Sequence, residues 1–479
     1  MKRRILSLFL VLAMALSLAA CGGNGGKDNS GSGSNAGNPK GNFEVPEGGY
    51  DGSEVTVKFY HTMGANLSSV LEDYIVEFNK LYPNITIQHE QVGNYDDVRD
   101  QIVQEISIQG QPNIAYCYPD HVALYNLAQA TITLDSLIES DIEVKRADGT
   151  TEILGLTDEQ KADFIEGYYN EGKQFGDGLM YTLPLSKSTE VLYYNKTFFD
   201  QHGLKVPTTW DELEQVCAEI KKIDPESTPL GYDSESNWFI NMCEQLGSPY
   251  TSAKEGEHYL FDNEENHAFV KKFNGWYQKG YVTTQELYGS YTSGLFVATT
   301  GNRSYMSIGS SAGATHQRPA QVDGAYPFDV GIAPIPQADA SNPKVISQGP
   351  SLCIFGKEND QEVIASWLFV KYLTTTVEFQ AEFGMASGYV PVLKSVSEHP
   401  VYADYLAGAN GGSNIAALST KVCLEQADAY YTSPAFNGSS AAREQVGTLL
   451  MKCLTLTDNI DAEIEKAFED AVEECEYAE

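Results

Sequence analysis

Between Val55 and Tyr118 the apolar residues switch repeatedly between a period of two and a helical period, and few folds tolerate that rhythm. Val55, Val57 and Phe59 alternate as one face of a strand does. Leu67, Val70, Leu71, Tyr74, Ile75 and Phe78 then fall on one helical face, with Asn66 as the expected N-cap and Pro83 as the stop. Ile85 and Ile87 resume alternation. Val98, Ile102 and Ile106 predict a second helix ending at Gly110, and Asn113 to Tyr118 a third strand. Strand and helix in alternation argue for a parallel sheet covered by helices, an α/β fold.

The rhythm returns further along. Val191 to Asn195, Phe328 to Ala333 and Leu352 to Phe355 predict strands. Thr209 and Glu212 form a capping-box pattern ahead of Leu213, Val216, Cys217 and Ile220. Asp360 opens a helix with Ile364, Trp367 and Leu368 on its apolar face, and Trp367 is a core residue at that spacing. Ile460, Ile464, Ala467, Phe468, Ala471 and Cys475 line a last amphipathic helix, with Glu463, Glu465, Glu469 and Asp470 on its wet side. Two α/β lobes follow. Ligands of open α/β sheets sit beyond the carboxyl ends of the strands, so a cleft between lobes is the expected site.

The N-terminal segment carries a different signal. Lys2, Arg3 and Arg4 precede the apolar stretch Ile5 to Leu18, and Ala19 and Ala20 lead to Cys21. That is the layout of a secretory signal peptide over residues 1–20, too short for a comfortable membrane span. Leu18-Ala19-Ala20-Cys21 resembles the lipobox of bacterial lipoproteins, which implies lipidation of Cys21. Residues 21–52 are rich in Gly, Asn, Ser and Pro and predict a flexible tether.

The net charge of −35 excludes nucleic acid as a partner, since phosphate binding depends on Lys and Arg. It also means that an anionic ligand needs a pocket shielded from the overall field. Of eight Cys, the seven after Cys21 show no C-x-x-C spacing and no clustering with His. They predict neither a metal site nor a disulfide framework, and no cofactor is indicated.

Several ordered blocks resemble the family 1 extracellular solute-binding proteins of ABC importers. They are Phe59-Tyr60-His61-Thr62-Met63, Leu183-Pro184-Leu185-Ser186-Lys187-Ser188-Thr189-Glu190 running on to Lys196, Val206-Pro207-Thr208-Thr209-Trp210-Asp211-Glu212-Leu213, Ser387-Gly388-Tyr389-Val390-Pro391-Val392, and Phe436-Asn437-Gly438-Ser439 with Arg443. The resemblance implies a two-lobe periplasmic-binding-protein-like fold (type II) with a hinge between discontinuous lobes. By analogy the chain crosses near Thr182, Val345 and Met385, so that residues 53–182 with 346–385 form lobe 1 and residues 183–345 with 386–479 form lobe 2. It implies a monomeric, non-enzymatic protein held to the outer face of the bacterial cell membrane by a lipid on Cys21. Its partners are then a small-molecule ligand and the ABC permease subunits with their ATPase.

The family's glycerol-3-phosphate binders suggest ligand contacts at Tyr95, Ser188, Ser310 or Ser311, Gly349, Tyr389 and Arg443, with Trp238 as a stacking ring. Hydroxyls, a backbone N–H and a guanidinium fork suit a phosphate. The pattern departs at Tyr118-Pro119-Asp120, where Asp120 stands in for a family Glu. A sugar is the rival ligand. It would use Tyr60, Tyr95, Trp238, Tyr288 and Tyr291 with Asp120 and Asn237, because sugars offer C–H faces to rings and hydroxyls to carboxylates and amides.

Two other classes compete. Gly309-Ser310-Ser311-Ala312-Gly313 satisfies the G-x-S-x-G pattern of serine hydrolases and follows a predicted strand. That elbow needs a helix directly after it, and Thr315 to Pro319 reads poorly as one. The other alternative is a structural lipoprotein that takes no small ligand.

Overall fold

The computed structural model describes residues 42–409 and 414–478. The signal-peptide reading, Cys21 and residues 21–41 of the predicted tether lie outside them; the tether's last part, residues 42–52, is instead packed on the body, with Phe43 buried and Asn42 Nδ2 donating to Thr131 O (3.0 Å). Along the chain come β1 (Val55–His61), α1 (Ala65–Leu81), β2 (Ile85–Gln91), α2 (Tyr95–Ile106), β3 (Ile114–Cys117), α3 (Pro119–Asn126) and β4 (Thr182–Pro184). A second group follows: β5 (Glu190–Asn195), α4 (Trp210–Ile223), β6 (Leu230–Tyr232), α5 (Glu235–Leu246), α6 (Glu264–Gln278), β7 (Val282–Thr284), β8 (Met306–Ser310) and β9 (Val330–Pro334). The chain then returns through β10 (Ser351–Ile354), α7 (Asp360–Thr375) and α8 (Val377–Ser387), and ends with α9 (Ser439–Leu454) and α10 (Ile460–Ala478).

Two five-stranded sheets result, in the orders β2-β1-β3-β10-β4 and β9-β5-β8-β6-β7. Each is the core of one lobe, and neither is purely parallel. In the first, β1 pairs parallel with β2 and β3, whereas β10 runs antiparallel to β3 and β4. In the second, β5 runs antiparallel to β8 and β9, while β8–β6 and β6–β7 are parallel. The parallel pairs are the ones joined through helices, as the alternation predicts. The strands β5 and β10 enter their sheets straight from the other lobe, without a helical crossover, and so arrive reversed.

Local sequence explains most element ends, with two corrections. The N-cap of α1 is Gly64, which makes no side-chain cap, and Asn66 lies inside the helix. Thr209 caps α4 by accepting from Glu212 N, but the Glu212 carboxylate turns to Thr208 N and Oγ1 (2.8 Å each). Pro184 ends β4, an edge strand, where a missing N–H costs least.

Helix α7 is buried almost all round from Val363 to Leu373, against β1 and β10. Trp367 at its centre donates Nε1–H to Leu154 O (2.8 Å). In the second lobe the core is aromatic: Trp238 stacks on Tyr232 (4.9 Å) and Phe273 (4.2 Å). Such side chains each contribute about 1.5–3 kcal/mol by leaving water. The seven cysteines from Cys117 onward are buried, and none of them is joined in a disulfide.

Three segments run side by side between the sheets. Ser188 and Gln348 exchange backbone hydrogen bonds (2.8 Å each way), and Lys187 N donates to Val390 O (2.9 Å). The Lys187 ammonium beneath them is buried and contacts Glu171 Oε1 (2.5 Å), Ser351 Oγ (3.0 Å) and Gly349 O (3.2 Å). Gly349 has φ +97°, and a Cβ there would lie 2.6 Å from Ser186 O, so only glycine allows these strands to approach.

Candidate ligand cleft

Two adjacent cavities lie where the carboxyl ends of strands from both sheets face each other. The larger, about 760 Å³, is bounded by Asn94 to Asp96 at the start of α2, the first turn of α3, Asp233 to Ser236 where β6 leads into α5, and α9. The smaller, about 90 Å³, is bounded by Tyr118, Asp120, Ser347, Gln348, Tyr250, Ser439 and Arg443. Tyr118, Asp120 and Arg443 belong to both walls. The Asp120 carboxylate in α3 accepts from Ser440 Oγ in α9 (2.9 Å), so the lobes touch across the cleft.

Helix ends deliver several of these groups. Asn94 caps α2 by accepting from Asp96 N (2.8 Å) and Asp97 N (3.0 Å), which sets Tyr95 at the first helical position. Tyr95 stacks on Tyr118 (4.6 Å), and its buried hydroxyl lacks a hydrogen-bond partner of normal geometry, beside the Tyr389 hydroxyl. Burial first, then these phenol neighbours, pushes the Tyr95 pKa well above its ordinary value. Such a hydroxyl is a ready partner for a ligand oxygen. Arg443 donates from Nη2 to Asn237 Oδ1, which anchors the guanidinium in the second lobe.

The larger cavity is acidic. Asp96, Asp120, Asp233, Glu235, Glu286 and Glu444 line it against Arg99 and Arg443. Arg99 is engaged by Asp96 (3.0 Å) and Asp100 (2.8 Å). Asp233 accepts from Thr292 N (2.6 Å) and Oγ1 (2.7 Å), and burial raises its pKa. Burial lowers the pKa of His121.

Of the residues singled out from sequence, Tyr95, Asp120 and Arg443 stand in the cavity walls. Tyr389 is half-buried and its hydroxyl approaches those of Tyr95 and Tyr291. Ser188 and Gly349 sit on the crossing segments next to Gln348. Ser310 ends β8 opposite Glu190, and its Oγ accepts from Ala312 N (3.3 Å). Trp238 has no exposed surface; it is enclosed by Tyr232, Phe273, Trp210 and Trp276 and faces neither cavity. Ser311 is equally buried, its Oγ accepting from Thr189 N (3.2 Å) and its carbonyl from Ser419 Oγ (3.0 Å). The G-x-S-x-G segment therefore runs from β8 into a 3₁₀ turn over Ser311–Gln317, a helix-like turn where the sequence reads poorly as one. Its middle hydroxyl faces inward onto backbone rather than onto a base.

Among the sugar-type candidates, Tyr291 lines the larger cavity, Asn237 holds Arg443, and Tyr60 is buried in the first lobe, donating to Glu105 (3.2 Å). His61 is a structural residue. It is buried, with Nδ1 accepting from Met63 N (3.0 Å) and Nε2 against His89 Nδ1 (2.9 Å), and burial lowers its pKa to about 4.

Glu190 escaped the sequence reading. It is a buried carboxylate that receives Tyr232, Asn237 and Asn241 behind Arg443. The available signal was a charged residue directly before the apolar run Val191-Leu192-Tyr193, where a carboxylate persists only if it is paired.

Two mixed α/β lobes facing each other across a polar cleft define the class: a protein able to hold a ligand between its lobes. A family model described as bacterial extracellular solute-binding protein matches residues 73–409, and the chain belongs to that family. The sn-glycerol-3-phosphate-binding periplasmic protein UgpB of Escherichia coli strain K12 is 24% identical over 352 residues, 71% of this chain and 75% of that one. Among solved structures, UgpB from Mycobacterium tuberculosis in complex with glycerophosphocholine superposes with a TM-score of 0.70 at 18% identity, covering 88% of this chain and 98% of that one. The cyclic alpha-maltosyl-1,6-maltose binding protein from Arthrobacter globiformis gives 0.66 at 18% identity, over 88% and 99%. No helix among the described residues is long and apolar enough to cross a membrane.

Proposed function

We propose that this chain captures a carbohydrate or glycerol-3-phosphate-like solute between its lobes and delivers it to the permease of an ABC importer. The family supports the class, and the names of the relatives support both ligand types. One observation weighs on the choice: six carboxylates against two guanidiniums around the larger cavity. A dianion such as glycerol 3-phosphate meets a repulsive field there, whereas a neutral sugar meets hydrogen-bond acceptors and tyrosine faces. The second reading is a zwitterionic glycerophosphodiester. Arg443 favours it, since its guanidinium suits the phosphodiester while the acidic wall suits a cationic head group.

In this reading Tyr95, Asp120, Tyr389 and Arg443 contact the ligand, and Ser188, Ser310 and the Gly349 backbone line the crossing side. Trp238 and Ser311 act from behind, as packing. The lobes comprise residues 53–182 with 346–385 and 183–345 with 386–479. They flex about the three adjacent segments, as in hinge closure.

A thermal-shift and calorimetry panel of maltose, maltotriose, glycerophosphocholine and glycerol 3-phosphate tests the ligand. A true ligand at 100 times its Kd adds about 2.7 kcal/mol of stability. Maltotriose or glycerophosphocholine is expected to do so. Binding of glycerol 3-phosphate alone would refute the charge argument.

We also propose that Cys21 carries the lipid that tethers the body to the membrane, on the strength of Leu18-Ala19-Ala20-Cys21 and the Gly-rich segment after it. Cys21→Ser is expected to move the protein from the membrane fraction into the medium of the producing bacterium. Retention at the membrane would count against the anchor.

A further inference from the structure

Glu190 opens β5 at the cleft end of the second sheet and is buried. Its Oε1 accepts from Asn237 Nδ2 (2.9 Å), and its Oε2 accepts from the Tyr232 hydroxyl (2.5 Å) and Asn241 Nδ2 (2.7 Å). A carboxylate can only accept and a guanidinium can only donate. An asparagine between them has one allowed orientation, with its amide NH₂ on the acid and its oxygen on the arginine. Asn237 has that orientation, its Oδ1 accepting from Arg443 Nη2. Asn241 repeats the logic: its Oδ1 accepts from the Tyr431 hydroxyl (2.9 Å) and from Ile346 N (3.1 Å). Ile346 and Arg443 both border the smaller cavity.

Resting on the reading that Arg443 holds the ligand, we propose that Glu190 is a positioning residue whose carboxylate fixes Asn237, and through it aims the Arg443 guanidinium into the cleft. The arrangement makes little sense as packing alone. A buried charge is costly, and an apolar residue would fill the same space at lower cost unless the charge sets the direction of something else. Here it sets two amides whose outward oxygens organise the cavity wall.

The charged and titratable groups around Glu190 are Tyr232 at the end of β6, Asp233 just after it, Arg443 on α9, and Tyr431. Burial pushes its pKa up to about 7; the hydrogen bonds from Tyr232 and Asn237 and the charge of Arg443 pull it down, and Asp233 pushes it up. The ionised form predominates above that pH. Below it the acid carries a proton, which the Tyr232 hydroxyl can turn to accept; the charge that strengthened the bond from Asn237 Nδ2 is gone, and the hold on that amide weakens.

The probes are maltotriose and glycerophosphocholine, whose own charges do not change between pH 6 and 8. Wild-type affinity for the probe that binds is expected to fall several-fold from pH 8 to pH 6. Glu190→Gln is expected to bind about 10-fold more weakly at pH 8, a typical cost for a lost charged hydrogen bond, with a nearly flat pH profile. Tyr232→Phe removes one donor to the carboxylate, so its profile is expected to keep its shape with the midpoint moved upward. His121 and Asp233 also line the cleft, and the glutamine variant separates their contribution from that of Glu190. The proposal fails if Glu190→Gln keeps wild-type affinity and wild-type pH dependence. If that variant does not fold, an unmoved midpoint in Tyr232→Phe overturns it. Failure of the parent reading looks different: there, Arg443→Ala itself binds as wild type does.

Discussion

Arg443→Ala is expected to raise the Kd of the bound solute by about 100-fold, or about 2.7 kcal/mol, while leaving the fold intact. The size follows from position. Arg443 borders both cavities and is the cation they share. Its Nη2 is used by Asn237, which leaves the rest of the fork for a ligand. The fold should survive because the acceptor left behind, Asn237 Oδ1, borders a space that water can fill. Titration calorimetry gives the affinity, and circular dichroism with a melting curve gives the fold. Equal binding by mutant and wild type would remove Arg443 from the site. Loss of binding together with a collapsed melting transition would show that it supports structure instead.

Lys187→Met is expected to destabilise the protein by about 3–5 kcal/mol, because it strands Glu171 as a buried charge. Both side chains are almost fully shielded, and they lie 2.5 Å apart beneath the crossing segments. Glu171 also receives Ser347 Oγ and Ser351 Oγ (3.3 Å each), so the pair ties the return crossing to the first. Adding Glu171→Leu should recover most of the loss, since two apolar side chains carry no desolvation cost. Urea unfolding of the wild type, both single variants and the double variant measures the coupling. A single-variant loss below about 1 kcal/mol would mean that water reaches the pair, as at a surface salt bridge.

Much of the architecture was legible because secondary structure leaves a local, periodic trace. The strand of alternating Val55, Val57 and Phe59, the helix carrying Ile102, and the Trp367 core helix are all where their spacing puts them. Strand direction was less legible. Whether β5 and β10 run with or against their neighbours depends on where the chain comes from, and no residue within a six-residue strand records that. The site was legible only in part. Tyr95, Asp120 and Arg443 were found by their place in ordered blocks, and they line the cavities. Trp238 looked like a stacking ring from its place near a tryptophan of the family pattern, yet its helix turns it inward onto Tyr232 and Phe273. A helical face points to core or cleft according to what packs on it, which sequence spacing does not encode.

The sequence by itself determined the α/β class and the division into repeated strand–helix units, since periodicity is a property of the chain. Only the tertiary structure decided which polar groups meet. Asp120 and Ser440 are 320 residues apart and share a hydrogen bond. Glu190 reaches Arg443 only through Asn237. Such pairings depend on distances of a few ångströms between distant segments, and those distances exist only once both sheets and their three connections have formed.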